Sequence, residues 1–272
     1  MSFSRERPFV LVGAGKMGGA MLSGWVADGI DASALMVCDP HLSDEMDALL
    51  KEHGIRHVTA MPVDLRAGMV LIAVKPQMMD AVLPSLTSAV ASDTLVLSVA
   101  AGTPVSRFEA AFGTVPVCRC MPNTPAMVKR GITAVYPTAA VSEESKKDVT
   151  RLMSAIGRVV WLESEDQIDL VTGVSGSGPA YVFYLAEALS EAGRQAGLPA
   201  EIAEELAVAT VCGAGELMHR SGEHPSVLRK NVTSPNGTTA AALDVLMGAD
   251  GLQPVMTEAV AAAVKRAREL AG

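Results

Sequence analysis

The sequence predicts an α/β chain in which an N-terminal, doubly wound parallel sheet is followed by an all-helical domain. Two observations predict it. Over residues 1–164, short apolar runs bounded by turn residues alternate with helical patterns, as in the strand–helix units of a parallel sheet. Residues 165–272 contain long apolar helical stretches and no strand-like run. We therefore expect two domains, at 1–164 and 165–272.

Length and charge limit the partners of the chain. At 272 residues it can form two domains that each bury a core. A formal net charge of -8 argues against a nucleic-acid partner. No apolar run approaches the ~18 residues that would span a bilayer, and the short charged segment 1–7 is unlike a signal peptide. We expect a cytoplasmic protein with no membrane partner.

The cysteines and histidines do not suggest a metal site. The four cysteines are scattered over strand-like and helical segments, which indicates reduced core residues rather than a disulfide framework. His53 and His57 are four residues apart, but Gly54 would interrupt a helix that aligned them. No metal is expected.

The first apolar run leads directly into a glycine motif. Residues 9–12 have a buried-strand pattern, residues 13–18 read Gly-Ala-Gly-Lys-Met-Gly, and a helix is expected over about 17–27. In this setting Gly13 makes the tight turn, Gly15 lets the backbone approach a pyrophosphate, and Gly18 lets the helix pack on the strand. The pattern predicts a Rossmann-type dinucleotide site.

An acidic residue follows the second strand. The run 35–38 ends at Asp39, 21 positions after Gly18, where this fold places a carboxylate on the adenine ribose. A carboxylate there would repel a 2'-phosphate, and neighbouring Pro40 and His41 provide no arginine to receive one. The position favours NADH over NADPH. The alternative is that Asp39 and Pro40 only form a turn.

Further strands are expected at 69–74, 94–99, 115–120, 132–136 and 158–161. A helix should follow the first of these to about residue 90. Thr103 and Pro104 are suited to cap and begin the next helix, and another helix should open at Ser142. Ligands of such sheets lie beyond the carboxyl ends of the strands. Lys75 could there serve a cofactor phosphate, a substrate carboxylate or neither, and Asn123 could hold the nicotinamide or the substrate.

The second half is predicted to be helical throughout. Residues 164–167, Ser-Glu-Asp-Gln, form a capping-box pattern that should start a long helix. Three glycines and a proline at 173–179 predict a kink and a close backbone approach. Further helices are expected over 181–195, 199–220, 239–247 and 253–270. Their apolar residues exceed what one small bundle buries, which predicts a dimer interface.

A polar loop at 231–239, Asn-Val-Thr-Ser-Pro-Asn-Gly-Thr-Thr, interrupts these helices. Residues 234–237 have turn chemistry, and Thr238 and Thr239 open the next helix. Free N–H groups at a helix start, with hydroxyls beside them, can bind a small carboxylate or phosphate. The alternative is a simple helix N-cap behind a turn.

Over essentially its whole length the chain resembles pyrroline-5-carboxylate reductase. The matching motifs occur in order and at the family's spacing. They are residues 12–18 (Val-Gly-Ala-Gly-Lys-Met-Gly), 73–77 (Ala-Val-Lys-Pro-Gln), 98–102 (Ser-Val-Ala-Ala-Gly), 119–125 (Arg-Cys-Met-Pro-Asn-Thr-Pro), 172–181 (Thr-Gly-Val-Ser-Gly-Ser-Gly-Pro-Ala-Tyr) and the run 224–239.

The resemblance implies reduction of 1-pyrroline-5-carboxylate to L-proline by NAD(P)H, the last step of proline biosynthesis. It also implies a homodimer with interlocked helical domains, often assembled into a decamer of five dimers. Asp39 departs from the family, many of whose members have a small polar residue or arginine there. Whether the 231–239 loop would reach the nicotinamide of its own chain or of a partner is left open.

The expected site residues follow from the resemblance together with the strand ends. Cofactor contacts are expected at Gly13, Gly15, Lys16, Met17, Gly18, Asp39, Ala73, Val74, Lys75, Pro76, Ala100 and Ala101. Substrate contacts are expected at Met121, Asn123, Ser177, Asn231, Thr233, Ser234, Gly237 and Thr238. Thr239 is the expected catalytic residue, because its hydroxyl could hydrogen-bond the nitrogen of the imine.

Two other functions compete with this one. β-Hydroxyacid dehydrogenases also join a Rossmann half to helices, but they carry a catalytic lysine and an Asn or Asp where this chain has Val182 and Ala186. A non-catalytic NAD-sensing subunit would bind the dinucleotide without needing a polar loop toward the nicotinamide. NADH oxidation that depends on added pyrroline-5-carboxylate would separate these possibilities.

Overall fold

The computed structural model describes residues 3–271 and divides by its contacts into two compact units. One, here called the sheet unit, comprises Met1–Gly176 and Val264–Gly272. The other, the helical unit, is Ser177–Ala263. Each is described by itself.

The sheet unit is built on one eight-stranded sheet with the order β3-β2-β1-β4-β5-β6-β7-β8. The apolar runs of the sequence form its buried central strands, as expected for a sheet covered on both faces. The strands are β1 (Phe9–Val12), β2 (Leu35–Cys38), β3 (Arg56–Val58), β4 (Met69–Ile72), β5 (Leu95–Ser98), β6 (Val117–Met121), β7 (Gly131–Pro137) and β8 (Gly157–Trp161).

The sheet is not parallel throughout, which corrects the expectation. β6 and β7 pair antiparallel, with Arg119 opposite Tyr136 and Met121 opposite Ala134, while the other neighbouring pairs are parallel. The physical reason is the short connection. Only residues 122–130, with one 3-10 helix (Thr124–Val128), separate the two strands, and a parallel crossover needs a dozen or more residues.

Helices cover both faces of the sheet. Trp25 is fully buried on one face, where its indole N–H donates to the Leu152 carbonyl at 2.9 Å and its ring packs on Phe9. Phe108 is fully buried on the other. The helices are α1 (Lys16–Ala27), α2 (Asp44–His53), α3 (Met79–Leu86), α4 (Val105–Phe112), α5 (Glu143–Ser154) and α6 (Gln167–Val171), with short 3-10 helices at Ala32–Ala34 and Pro76–Met78.

Two elements of this unit were not expected from the sequence. β3 has only three residues, all at least partly exposed, so it lacks the apolar run that marks the central strands. α2 is capped by Ser43, whose hydroxyl accepts from the Met46 N–H at 3.2 Å, and it ends at Gly54 in the left-handed conformation.

The start of α4 differs from the expectation. Pro104 rather than Thr103 is the N-cap residue, and no side chain of its own segment caps the helix. Instead the Glu165 carboxylate accepts from the Val105 N–H at 2.8 Å. Thr103 is buried and lies one residue before the N-cap position, so it does not cap the helix. The carboxylate that does so is 60 residues away in sequence.

The expected capping box at 164–167 forms in part. The Gln167 side-chain oxygen accepts from the Ser164 N–H at 3.3 Å, which is the backward half of the box. The long helix is interrupted, however, because α6 runs into a π-helical turn at Thr172–Gly176. This turn lies at the glycines from which a kink was predicted, and π-helical turns are common places for helices to bend.

The helical unit has almost no core of its own. Its helices are α7 (Gly178–Gln195), α8 (Ala200–Ser221), α9 (Pro225–Asn231), α10 (Thr238–Leu246) and most of α11 (Leu252–Ala271). Of residues 177–263, only Ala203 and Ala207 are buried. The short helix α9 was not expected from the sequence. Across residues 3–271, no helix is both long and apolar enough to cross a membrane.

Candidate active site

The glycine motif lies where the strand order of the sheet reverses. β1 is flanked by β2 and β4, and the loop after β1 and the segment 73–76 after β4 lie at the same edge. The Ala73 N–H donates to the Val12 carbonyl at 2.8 Å, and the Gly13 N–H donates to the Cys38 carbonyl at 3.0 Å. Such a reversal opens the crevice in which doubly wound folds bind nucleotides.

Each of the three glycines in the motif is needed for a different physical reason. Gly13 has a φ of +90°, and a Cβ there would lie 2.9 Å from the Ala73 carbonyl oxygen. A Cβ on Gly18 would lie only 2.1 Å from the Gly13 carbonyl oxygen, so α1 could not pack against the loop. A Cβ on Gly15 would meet no heavy atom within 4 Å beyond its own helix and chain neighbours, so the space beside its backbone is open to a ligand.

Helix α1 starts at this open position without a side-chain cap. Gly15 is its N-cap residue and supplies no side chain to the first N–H groups, and no acidic residue lies in the first turn. Lys16 is exposed and Met17 is partly exposed beside it. Free N–H groups, the positive end of the helix and a nearby lysine suit a pyrophosphate.

Asp39 connects the end of β2 to the glycine loop. One carboxylate oxygen accepts from the Ala14 N–H at 2.7 Å, and the other accepts from the His41 N–H at 2.8 Å. The His57 ring nitrogen Nε2 lies 2.8 Å from the Asp39 carbonyl oxygen. The carboxylate therefore lies at the glycine loop, and it helps to hold that loop in place as well as fixing a negative charge there.

The remaining expected cofactor residues lie at the neighbouring strand ends. Ala73 and Val74 are partly buried after β4, whereas Lys75 and Pro76 are exposed. After β5, Ala100 is buried with its N–H donating to the Ser98 hydroxyl at 3.3 Å, and Ala101 is exposed. The structure thus brings the expected cofactor residues together at one edge of the sheet.

Two expected substrate residues follow β6. Met121 is buried, and its sulfur lies 3.8 Å from where a Cβ on Gly176 would be. The Asn123 side-chain oxygen accepts from the Ile132 N–H at 2.9 Å, and its amide nitrogen donates to the Ser175 carbonyl at 3.2 Å. Asn123 therefore ties the end of β6 to β7 and to the π-helical turn. One of its N–H groups remains for a ligand.

Buried Arg119 and partly exposed Glu165 form an ion pair that was not among the expected site residues. The Arg119 nitrogen Nη1 donates to Glu165 Oε1 at 2.6 Å, the same oxygen that accepts from the Val105 N–H. The Arg119 side chain is 6% exposed, and within residues 3–271 its Nη2 has no hydrogen-bond partner. The signal in the sequence was a charged residue inside an apolar strand, which requires a buried partner.

In the helical unit, the polar loop has the expected turn. The Gly237 N–H donates to the Ser234 carbonyl at 3.1 Å, and Asn236 has a φ of +59°. A Cβ on Gly237 would lie 2.5 Å from the Ser234 hydroxyl oxygen, so the Ser234 side chain would have to rotate to admit one. The Thr233 hydroxyl donates to the Arg229 carbonyl at 2.6 Å, and Asn231 ends α9 with its side chain exposed.

The threonines after this turn do not cap α10. The N-cap residue is Gly237, and no side chain bonds to the first N–H groups of the helix. Thr238 is exposed and Thr239 is partly exposed, and within residues 3–271 neither hydroxyl has a hydrogen-bond partner. Ser177 likewise precedes α7 without capping it. The start of α10 thus offers N–H groups and hydroxyls to a ligand.

The buried cysteines are unreactive core residues. Burial raises the pKa of the Cys118 thiol to about 12 and raises the pKa of Cys120 well above its usual value. Cys38 is also buried, and burial followed by the Asp39 charge raises the pKa of its thiol. These thiols have no thiolate to offer as nucleophiles near neutral pH.

The chain matches known proteins over both of its parts. Residues 165–270 match the family described as pyrroline-5-carboxylate reductase dimerisation. Residues 8–102 match the family described as NADP oxidoreductase coenzyme F420-dependent.

Individual relatives cover nearly the whole chain. A pyrroline-5-carboxylate reductase of Pseudomonas aeruginosa is 40% identical over 96% of this chain and 95% of its own length. The structure of such a reductase from Coxiella burnetii is similar with a TM-score of 0.89, at 34% identity over 98% of this chain and 99% of that one. A Plasmodium falciparum pyrroline carboxylate reductase with NADP bound has a TM-score of 0.80, at 25% identity over 98% and 99%.

These similarities confirm both the fold expected from the sequence and the resemblance carried by its motifs. They extend over the sheet, the glycine loop and the helices that follow. The chain belongs to the pyrroline-5-carboxylate reductase family.

Proposed function

We propose that this chain reduces 1-pyrroline-5-carboxylate to L-proline with NADH, and that the start of α10 holds the substrate. Family membership supports the reaction. The observation that supports the substrate site is the uncapped start of α10, where N–H groups and the hydroxyls of Thr238 and Thr239 have no partner among the described residues. A carboxylate is the natural ligand of such a helix start.

The residues of the sheet unit fit a dinucleotide. The uncapped start of α1 would hold the pyrophosphate, because Gly15 leaves the backbone open there and Lys16 adds a positive charge. Asp39 receives the adenine ribose, and the segments 73–76 and 100–101 line the edge beyond it. Bound NADH supplies a hydride, so the protein has to bind, orient and keep the site dry.

Thr239 acts on the nitrogen of the ring. The substrate is a cyclic imine, and its protonated nitrogen loses the positive charge when the neighbouring carbon accepts the hydride. The product is a secondary amine, to which the Thr239 hydroxyl hydrogen-bonds as it forms. The N–H groups near Gly237 and Thr238 hold the carboxylate and so fix the face of the ring. The contacts with Met121, Asn123, Ser177, Asn231, Thr233 and Ser234 are part of the same proposal.

NADH is the proposed cofactor because of Asp39. Its carboxylate lies at the glycine loop through the Ala14 N–H, and a 2'-phosphate bound beside it would face that negative charge. The Plasmodium relative with NADP bound shows that this family also includes NADP-binding members. In this chain the preference for NADH depends on Asp39.

Assembly involves residues 165–272, which we propose as the dimerisation and substrate-binding domain. The match to the dimerisation family and the nearly coreless helical unit support a homo-oligomer. A pentamer of dimers is the proposed final assembly. The buried free cysteines are consistent with a cytoplasmic location, where thiols stay reduced.

The decisive assay follows NADH absorbance with and without 1-pyrroline-5-carboxylate. We expect oxidation only when the imine is present. Oxidation that does not depend on the imine would refute the reaction.

Thr239→Val should lower kcat by at least about tenfold, equivalent to ~1.4 kcal/mol, while NADH affinity and folding stay close to wild type. Thr257→Val, which alters an exposed helical threonine, is the control. An unchanged kcat in the Thr239 variant would remove this residue from the mechanism.

A further inference from the structure

The ion pair of Arg119 and Glu165 connects two loops whose relative position matters for the proposed reaction. Arg119 is two residues before Met121 and four before Asn123, where the loop after β6 begins. Val105 opens α4, directly after the loop 100–104 that contains Ala100 and Ala101. Both loops belong to the sheet unit.

One oxygen atom holds both segments. Glu165 Oε1 accepts from Arg119 Nη1 at 2.6 Å and from the Val105 N–H at 2.8 Å. In the strand register Arg119 lies opposite Ser98, whose hydroxyl accepts from the Ala100 N–H at 3.3 Å. A shift of Glu165 would therefore move the start of α4 and release the end of β6 at the same time.

This arrangement is poorly suited to stability alone. Burying a charge in an ion pair costs its desolvation, and here the Arg119 guanidinium bears that cost, since its side chain is 6% exposed against 30% for Glu165. Here the Arg119 Nη2 is also buried without a partner in the described chain, so one donor has lost its water without compensation. Local stability given up for a defined geometry is typical of residues that position a functional site.

We propose that Arg119 is a positioning residue for hydride transfer. Acting through Glu165, it fixes the loop 100–104, in which Ala100 and Ala101 are expected to contact the cofactor, relative to the loop after β6, in which Asn123 is expected to contact the substrate. The inference rests on the proposed reaction, in which a displacement of about 1 Å between hydride donor and acceptor can cost about a hundredfold in rate. Arg119 itself contacts neither NADH nor substrate in this proposal.

The test separates positioning from binding and from folding. In stopped flow, the enzyme–NADH complex is mixed with 1-pyrroline-5-carboxylate, and the single-turnover rate of NADH oxidation is measured. For Arg119→Lys, which keeps the charge but not the planar fork, we expect a rate at least about tenfold below wild type. The dissociation constant of NADH should stay within about threefold, because most of the expected cofactor contacts, at the glycine loop and Asp39, lie outside the segments that Glu165 holds.

Arg107→Lys is the matched control. Arg107 pairs with Asp80 on the surface, with side chains 42% and 86% exposed, so its replacement should leave both the rate and the affinity unchanged. Thermal unfolding of each variant shows that it is folded at the assay temperature. In Arg119→Ala, added guanidinium should restore part of the rate by filling the vacated site.

Three results would overturn the proposal: a single-turnover rate of folded Arg119→Lys equal to wild type, a loss of NADH affinity that matches the loss of rate, or no rescue by guanidinium. If Arg119→Lys does not fold, Glu165→Gln carries the test, since it keeps the shape of the side chain but removes the negative charge that pairs with Arg119 and so weakens its hold on both segments. A wild-type rate in that variant would likewise refute the inference. The wild-type assay with and without imine tests the reaction itself, so the two failures are distinguishable.

Discussion

The glycines of the loop after β1 have distinct roles that substitution can separate. A Cβ on Gly18 would lie 2.1 Å from the Gly13 carbonyl oxygen, so backbone would have to move. A Cβ on Gly15 meets no protein atom within 4 Å. Gly18 is therefore needed for the fold, and Gly15 is needed for the ligand.

We expect Gly18→Ala to lower the free energy of unfolding by about 1–3 kcal/mol or more. The added methyl group would overlap a backbone oxygen, and backbone cannot move aside as easily as a side chain. Gly15→Ala should melt within a few degrees of wild type but raise the dissociation constant of NADH by about tenfold or more, because its methyl group occupies the approach of the pyrophosphate. Calorimetry and NADH fluorescence titration measure the two effects. Equal NADH affinity in wild type and Gly15→Ala would contradict the ligand role.

Asp39 gives a second prediction at the scale of a residue. Asp39→Asn removes the charge but keeps an oxygen for the Ala14 or His41 N–H, whereas Asp39→Ser removes both acceptors of the carboxylate. Both variants should raise kcat/KM for NADPH relative to NADH, because the repulsion of a 2'-phosphate is gone. If the ratio stays constant while both values fall together, Asp39 only supports the loop.

Several residues were foreseeable from the sequence, but their contacts were not. Spacing from Gly18 placed Asp39 at the end of β2, yet its bond to the Ala14 N–H depends on a side-chain conformation that spacing does not encode. Asn123 was expected to face a ligand, and its amide bonds mainly within the protein. Arg119 was part of a recognised motif, but only the three-dimensional structure pairs it with Glu165, 46 residues later.

Elements with strong local signals matched the expectation. Central strands were found because their apolar runs are continuous, and α5 was found because Ser142 precedes a clear helical pattern. β3, α2 and α9 were not found, since they are short or mostly exposed and depend on their neighbours. The expectation of a sheet parallel throughout was wrong at β7, which pairs antiparallel with β6. The connection between these two strands is too short for a parallel crossover, and the repeated strand–helix pattern of the sequence did not show this.

The cap of α5 can be tested at this scale. The Ser142 hydroxyl accepts from the Ser145 N–H at 3.1 Å, so Ser142→Ala should lower the free energy of unfolding by about 1 kcal/mol, or about 2–4 °C in Tm. Ser154→Ala, at the other end of the same helix, is the control and should change little. Activity at low temperature should be unchanged in both. A variant as stable as wild type would show that water replaces the cap at no cost.

At the scale of the molecule, the helical unit requires a partner. Only Ala203 and Ala207 are buried among residues 177–263, while large apolar side chains of α7 and α8 are exposed. They include Val182, Phe183, Tyr184, Leu185, Leu189, Ile202, Leu206, Val208, Leu217 and Met218. Exposed apolar surface of this extent is typical of subunit interfaces.

We therefore expect light scattering to report a dimer or a larger assembly. Phe183→Asp places a charge on an exposed aromatic position of α7 and should shift the population toward monomer at micromolar concentration. Val63→Asp changes a residue exposed to 75% on a loop of the sheet unit, and it should leave the mass unchanged. Wild-type protein that stays monomeric at these concentrations would refute the interface.

The nearly coreless helical unit also has a consequence for how much enzyme a cell obtains from a given rate of synthesis. A newly made chain displays its apolar helices until a second chain arrives, and during that interval chaperones and proteases compete for it. Pairing depends on the square of the chain concentration, whereas degradation depends on its first power. Active enzyme should consequently rise more steeply than expression at low levels and in proportion to it at high levels.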